Sequence, residues 1–165
     1  MKELWCDFDG VIVCNEMKNI NTSNITPHEF AALVTKAYNE NPIISTTINQ
    51  LISEYKNSGA TINIITGRKK SFLSALTEDI LQNHSLAVND VFYYPENYGY
   101  VMSEYYAWKL SVIGKSATNN QVTEIRVVDD DKGLLLHLKE NIQFDNLHLT
   151  HYEFFADGSE VMAHL

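Results

Sequence analysis

The alternation of apolar and polar positions divides the chain into short β-type runs and longer helical patterns. Apolar runs bounded by turn residues predict strands over Glu3–Asp7, Ala60–Ile65, Val91–Tyr94, Glu124–Val128 and Leu147–Phe154. Between these runs, apolar residues recur at helical spacing over longer segments. Strands that alternate with helices indicate an α/β fold built on a parallel sheet.

Helix boundaries and one turn complete this prediction. Thr26 and Pro27 have the side chains typical of an N-cap and a first helical residue. Further helices are predicted over Ser45–Asn57, around Phe72–Ile80, over Met102–Ile113 and over Leu134–Leu138. Asp157-Gly158 predicts a hairpin turn into a last strand, Glu160–Ala163. The expected architecture is a three-layer, Rossmann-like, doubly wound parallel sheet with a C-terminal β-hairpin.

The length of the chain fits one domain. Its 165 residues contain no internal repeat and no low-complexity linker, so we expect a single domain over residues 1–165. The segment from about residue 14 to residue 41 lies between the first strand and the next helix, and it has room for one flap hairpin and one helix. We expect it to form a small flap or minimal cap.

Charge and cysteine content limit the partners and the compartment. Twelve Lys and Arg against 21 Asp and Glu leave a formal net charge of -9, which disfavours nucleic-acid binding because that depends on basic clusters. The two cysteines, Cys6 and Cys14, lack the spacing of a disulfide framework or a CxxC motif. A reducing, cytoplasmic location is expected. No apolar run reaches the roughly 18 residues that span a bilayer, so no membrane partner is expected.

Polar side chains that suit phosphate chemistry follow three of the predicted strands. Asp7 and Asp9 follow the first strand, Thr66-Gly67 the second, and Asp129-Asp130 the fourth. Lys109 lies 20 residues before Asp129, on or beside the preceding helix. Because ligands bind beyond the carboxyl ends of such strands, we expect these groups to meet at one edge of the sheet.

Two carboxylates at positions i and i+2 can play different roles toward one phosphate. The first can attack phosphorus and form an aspartyl-phosphate, while the second protonates the leaving oxygen and then activates water. Crowded carboxylates repel one another, and a hard cation such as Mg²⁺ relieves that repulsion. Glycines at positions 10 and 67 allow the backbone to approach a phosphate closely.

The residues just described resemble the motifs of the haloacid dehalogenase-like (HAD) phosphatases. The matching segments are DFDGV at 7–11, the IITGR segment that contains Thr66, Lys109, and VVDD at 127–130, in family order over roughly residues 3–140. The resemblance implies that Asp7 is the nucleophile and a Mg²⁺ ligand. It implies that Asp9 is the general acid and base and faces the metal through its backbone carbonyl. The roles that it implies for the remaining residues are phosphoryl binding by Thr66, Gly67 and Lys109, and metal binding by Asp129 and Asp130.

Several assignments stay open at this stage. Lys115 and Lys132 are alternative lysines, and either Asp129 or Asp130 can be the direct metal ligand. Arg68 is equally compatible with a contact to a second anionic group on the substrate and with a structural ion pair. Six tyrosines at positions 93, 94, 98, 100, 105 and 106 indicate aromatic packing, and the loop Pro95–Val101 is expected near the active edge.

The substrate is predicted from the absence of a large cap. An open site suits a large substrate whose own surface excludes water, so we rank a phosphoprotein or phosphopeptide first. A small phosphomonoester comes second, a nucleic-acid 3′-phosphate third. An alternative of a different class is a non-catalytic domain that binds phosphate or a partner, and the presence of both Asp7 and Asp9 weighs against it. The oligomeric state is not predicted.

Overall fold

The computed structural model describes residues 1–14, 24–39 and 43–165. The strands are β1 (Lys2–Cys6), β2 (Val13–Cys14), β3 (Ile43–Ile44), β4 (Thr61–Lys69), β5 (Asp90–Tyr94), β6 (Glu124–Asp129), β7 (Leu147–Phe154) and β8 (Glu160–His164). The helices are α1 (Pro27–Asn39), α2 (Thr46–Asn57), α3 (Lys70–Asn83), α4 (Met102–Ala117) and α5 (Lys132–Asn141). These bounds confirm the predicted alternation of strands and helices.

Six strands form one sheet in the order β5-β4-β1-β6-β7-β8. The first five are parallel, and β8 returns antiparallel to β7 as the predicted C-terminal hairpin. β1 lies in the centre, with Cys6 opposite Ile64 of β4 and Val128 of β6. The residues that follow β1 and those near the ends of β4 and β6 therefore meet at one edge. The predicted doubly wound α/β class is confirmed.

Two apolar cores cover the two faces of this sheet. One contains Cys6 of β1 and buried residues of α2 and α3, such as Ile48 and Ile80. The other contains Trp5 of β1 and buried residues of α4 and α5. Successive residues of a strand point to opposite faces, so Asp7 follows Trp5 toward the α4 side.

Local side-chain chemistry sets where the helices begin. The Thr26 hydroxyl accepts a hydrogen bond from the Glu29 amide, as expected of an N-cap. Ser45 caps α2 by accepting from the Ile48 amide, and Asp131 caps α5 by accepting from the Leu134 amide. The cap of α1 is the predicted residue, Thr26, and Ser45, where the second helix was predicted to begin, is the residue that caps α2.

The insert after β1 is described in part. β2 and β3 pair antiparallel, with Val13 opposite Ile44, and α1 lies in the chain between them. Phe30 and Val34 of α1 pack with Leu73 of α3. The remainder of the predicted flap, at 15–23 and 40–42, lies outside the described residues. The assignment of residues 14–41 as a flap therefore stays a prediction.

Within the described ranges, none of the helices combines the length and apolarity needed to cross a membrane.

Candidate active site at the carboxyl edge of the sheet

Three aspartates converge at the carboxyl ends of β1 and β6. Asp7, Asp129 and Asp130 each offer one carboxylate oxygen, and these oxygens lie within 4.8 Å of one another. The Asp7 amide donates to the Val128 carbonyl (3.0 Å), which joins the two strands at this point. The sequence predicts this convergence, and the structure brings the three residues together.

Lys109 connects this cluster with α4. Its fully buried ammonium lies 2.8 Å from Asp129 Oδ2 and 3.4 Å from Asp7 Oδ1. Burial alone lowers the pKa of Lys109, but Asp129 and Asp7 outweigh that effect and raise its pKa well above the usual value. The lysine is therefore a fixed positive charge. Of the three lysines considered from the sequence, it is Lys109 that the fold brings to Asp7 and Asp129.

One ammonium does not neutralise three carboxylates. Burial, together with the charges of Asp129 and Asp9, raises the pKa of Asp7 to about 7, although Lys109 opposes the shift. Burial and the charges of Asp7 and Asp129 raise the pKa of Asp130 well above its usual value. The cluster thus has excess negative charge and hard oxygen donors, which is the donor set that Mg²⁺ prefers. The residues present fit a magnesium ion.

Gly10 makes room for Asp130. Its φ of +86° lies in the left-handed region, and a Cβ built on it would come within 2.2 Å of Asp130 Oδ2. The turn after β1 and the carboxylate after β6 are therefore packed against each other with no space for a side chain. On the other side, His151 Nε2 lies 3.0 Å from the Asp130 carbonyl oxygen. The sequence did not predict this contact between His151 and the Asp130 carbonyl, because it arises only from the pairing of β7 with β6.

Asp9 lies apart from the three-carboxylate cluster. Its two oxygens accept hydrogen bonds from Arg68, from Nε at 2.9 Å and from Nη2 at 2.8 Å. Arg68 Nη1 also donates to Thr77 Oγ1 (2.9 Å), and its guanidinium lies 4.4 Å from the centre of the Phe8 ring. The structure therefore contains the ion pair that the sequence left open. A contact between Arg68 and substrate stays a prediction, as does the contact of the Asp9 carbonyl with metal.

Thr66 and Gly67 occupy an irregular segment of β4. The register with β5 shifts between Thr66 and Lys69, and the fully buried Thr66 hydroxyl accepts from the Arg68 amide (3.2 Å). The Gly67 carbonyl accepts from the Tyr100 hydroxyl (2.9 Å). This places Thr66 and Gly67 at the same edge as Asp7. Their predicted phosphate contacts remain predictions.

The loop at 95–101 is tied to β4 beside the site. The buried Lys69 ammonium donates to the backbone carbonyls of Glu96 and Tyr98. The Tyr100 ring packs on Phe30 of α1, with ring centres 4.6 Å apart. The expectation that this loop lies near the active edge is confirmed. Lys69 was missed, because nothing in the sequence distinguishes it from the adjacent Lys70.

Comparisons with known proteins identify structural neighbours only. No protein-family model matches the sequence, and no curated protein matches it. One chain in a structure of the Pnkp1/Rnl/Hen1 RNA repair complex aligns at 14% identity and a TM-score of 0.64, over 93% of this chain and 43% of that one. A second structure of that complex aligns over 47% of its chain, so this protein spans less than half the length of both.

Two other neighbours are matched over most of their length. The HAD domain of the effector protein Lem4 from Legionella pneumophila aligns at 14% identity and a TM-score of 0.56, over 92% of this chain and 86% of that one. The D,D-heptose 1,7-bisphosphate phosphatase of B. bronchiseptica, solved with magnesium and phosphate, aligns at 14% identity and a TM-score of 0.51, over 85% and 76%. Such alignments at low identity establish architecture, and the chain has the HAD-like α/β fold that its motifs predict.

Proposed function

We propose that this protein is a magnesium-dependent phosphomonoester hydrolase that works through an aspartyl-phosphate on Asp7. The observation that carries the proposal is the buried contact of Lys109 with both Asp7 and Asp129, at the edge that also holds Asp130 and Thr66. A nucleophilic carboxylate, a fixed cation and a site for a divalent ion are the groups that phosphoryl transfer requires. A structural neighbour is a phosphatase solved with magnesium and phosphate, which supports the same reaction class.

Asp7 supplies the attacking oxygen. A carboxylate oxygen of Asp7 forms a bond to phosphorus as the bond to the leaving oxygen breaks, and water later releases inorganic phosphate. Lys109 and Thr66, with the backbone near Gly10 and Gly67, hold the phosphoryl oxygens and stabilise the charge that develops on them. A magnesium ion held by Asp7, Asp129 and Asp130 would neutralise charge on the phosphoryl group and on Asp7.

Asp9 acts as the proton donor and later as the base for water. Both of its oxygens are already engaged as hydrogen-bond acceptors from Arg68 in the structure. Donation of a proton to the leaving oxygen therefore requires the Asp9 carboxyl to turn away from Arg68 when substrate binds. Arg68 is a positioning residue in this mechanism.

The connections around the site bear on the substrate. β4 joins β5 through α3 and a short segment, which leaves no room for a large cap at that point. We propose a phosphoprotein or phosphopeptide as substrate, because a large partner can exclude water from an open site.

Two alternative substrate classes have support from the structural neighbours. A small phosphomonoester fits the likeness to the heptose bisphosphate phosphatase. A phosphorylated RNA end fits the likeness to a chain of an RNA repair complex, and the comparisons give no support to excluding nucleic acid.

Hydrolysis of an aryl phosphate with and without Mg²⁺ tests the reaction. We expect turnover that requires Mg²⁺ and is lost in Asp7→Asn, because an amide is a poor nucleophile and a poor metal ligand. Asp145→Asn is the matched control, since Asp145 is exposed and the variant changes the net charge by the same amount. Metal-independent turnover, or full activity in Asp7→Asn, would overturn the proposal. Binding of phosphate without turnover would favour the non-catalytic alternative.

Parallel kinetics on three substrates test the substrate class. We expect the highest kcat/KM on a phosphopeptide, compared with a sugar phosphate and with an oligonucleotide that carries a 3′-phosphate. The ranking is wrong if either of the other two is preferred.

A further inference from the structure

Tyr105 lies over Lys109 on the first turns of α4. The two residues are four apart, so they share one face of the helix. The Lys109 ammonium is 4.8 Å from the centre of the Tyr105 ring. Tyr94 and Trp108 also pack against the ring, with ring centres 5.4 and 6.1 Å away. The ring is therefore fixed next to the buried ammonium.

The edge of the same ring lies against Gly67. A Cβ built on Gly67 would be 3.3 Å from Cε2 of Tyr105 and 3.5 Å from its hydroxyl oxygen. The Tyr105 hydroxyl is thus beside the backbone of Gly67, and the ring covers Lys109. Both Gly67 and Lys109 are proposed to bind phosphate.

The electrostatic surroundings keep the phenol protonated. Burial, followed by the charge of Asp7, raises the pKa of Tyr105 well above its usual value, although Lys109 opposes the shift. A protonated phenol is a neutral hydrogen-bond donor over the whole working range of pH. Tyr106, the next residue, contrasts with it, because its hydroxyl donates to the Asp131 carboxylate (2.8 Å) and serves the start of α5.

We propose that Tyr105 is a further phosphoryl-binding residue, whose hydroxyl donates to a non-bridging oxygen of the phosphate held between Lys109 and Gly67. The inference rests on the proposed function and adds a residue to it. A phosphoryl group has several acceptor oxygens, and a neutral donor can satisfy one of them without adding negative charge to an already acidic site.

Tyr105→Phe removes the hydroxyl and keeps the ring. The matched control is Tyr55→Phe, because the Tyr55 hydroxyl bonds Glu124 (3.2 Å) at the opposite edge of the sheet. Equilibrium dialysis of inorganic phosphate against the Mg²⁺-loaded protein measures binding directly. A lost hydrogen bond to a charged group predicts that Tyr105→Phe weakens phosphate binding and lowers kcat/KM, each by about tenfold. Tyr55→Phe should change neither quantity.

A Tyr105→Phe protein that binds phosphate as tightly as the wild type would overturn the inference. If Tyr105→Leu then loses binding, the ring acts only by shielding Lys109. The failure of the proposed function is a separate result, since wild-type protein without Mg²⁺-dependent turnover would contradict catalysis while phosphate binding still tests Tyr105.

Discussion

At the scale of single residues, the site is dominated by carboxylates that share one buried cation. Lys109 contacts Asp129 and Asp7, whereas Asp130 is pressed against Gly10 and carries a strongly raised pKa. Such an arrangement is unfavourable without a further positive charge. We therefore expect the stability of the protein to depend on Mg²⁺.

Asp130→Asn tests this dependence. A cation that binds only the folded state at 100 times its dissociation constant adds about 2.7 kcal/mol, which corresponds to about 5–10 °C in the Tm of a domain of this size. We expect that increase in the wild type and less than half of it in Asp130→Asn, measured by thermal unfolding with and without Mg²⁺. Without metal, the variant should be at least as stable as the wild type. An undiminished Mg²⁺ effect would contradict the assignment of Asp130, and Asp145→Asn controls for charge.

Arg68→Lys tests the pairing with Asp9. Lysine keeps the positive charge, but its ammonium cannot donate to both Asp9 oxygens and to the Thr77 hydroxyl at the same time. We expect a lower Tm, and a decrease in kcat that is larger for alkyl phosphates than for activated aryl phosphates, because poor leaving groups depend most on a proton donor and Arg68 positions the proposed donor, Asp9. An equal decrease in kcat for good and poor leaving groups would indicate that Arg68 contributes only to stability.

The motif residues could be predicted because the aspartates and Thr66 follow apolar runs, and Lys109 lies in the helix before β6, in the order of a known family. The pairing of Asp9 with Arg68 could not, since these residues are 59 positions apart and meet only through the irregular end of β4. Tyr105 was placed only within an aromatic stretch. Its spacing of four residues from Lys109 indicates that the two side chains share a helix face. The sequence does not show that this face of α4 lies toward Asp7.

At the scale of elements, strand ends and helix caps explain why the site forms. β1, β4 and β6 are adjacent and parallel, so the groups beyond their ends meet without any long loop. The predicted cap of α1 at Thr26 was correct because a Thr side chain satisfies an amide that a helix start leaves unpaired. β4 extends to Lys69, four residues beyond the predicted end, because Thr66-Gly67 was interpreted as the end of the strand.

A polar contact joins the C-terminal hairpin to α2 and offers a test at this scale. The Glu160 carboxylate accepts from Ser45 (2.7 Å), from Tyr152 (2.6 Å) and from Thr47. Burial on its own would raise the pKa of Glu160, but these hydrogen bonds outweigh it and lower the pKa. A carboxylate with a lowered pKa in the folded state stabilises the protein above its unfolded pKa, near 4.5, and loses that effect as the pH falls.

Glu160→Gln should therefore lower the Tm at pH 7 and have a smaller effect at pH 3.5. Thermal unfolding of the variant and the wild type at both pH values measures this difference. The exposed Glu140 supplies the control variant, Glu140→Gln. An equal decrease in Tm at both pH values would show that the charge of Glu160 does not stabilise the hairpin contact.

At the scale of the whole molecule, length and charge acquire structural meaning. The sheet and its flanking helices account for most of the 165 residues, and α1 is the one described helix between β1 and α2. Part of the net charge of -9 lies at the candidate active site, where it favours a cation. The rest of the negative charge does not predict the substrate class, because a formal net charge does not show how charges are distributed on the surface.

The proposed mechanism requires that Asp7 becomes phosphorylated during turnover. Borohydride reduces an acyl phosphate to an alcohol, so protein quenched during steady-state hydrolysis and treated with borohydride should carry homoserine at position 7. Peptide mass spectrometry locates the product, and omission of substrate or of Mg²⁺ should abolish it. Homoserine at residue 7 alone is the predicted result. Its absence from protein that is turning over, or its appearance at another aspartate, would contradict the account.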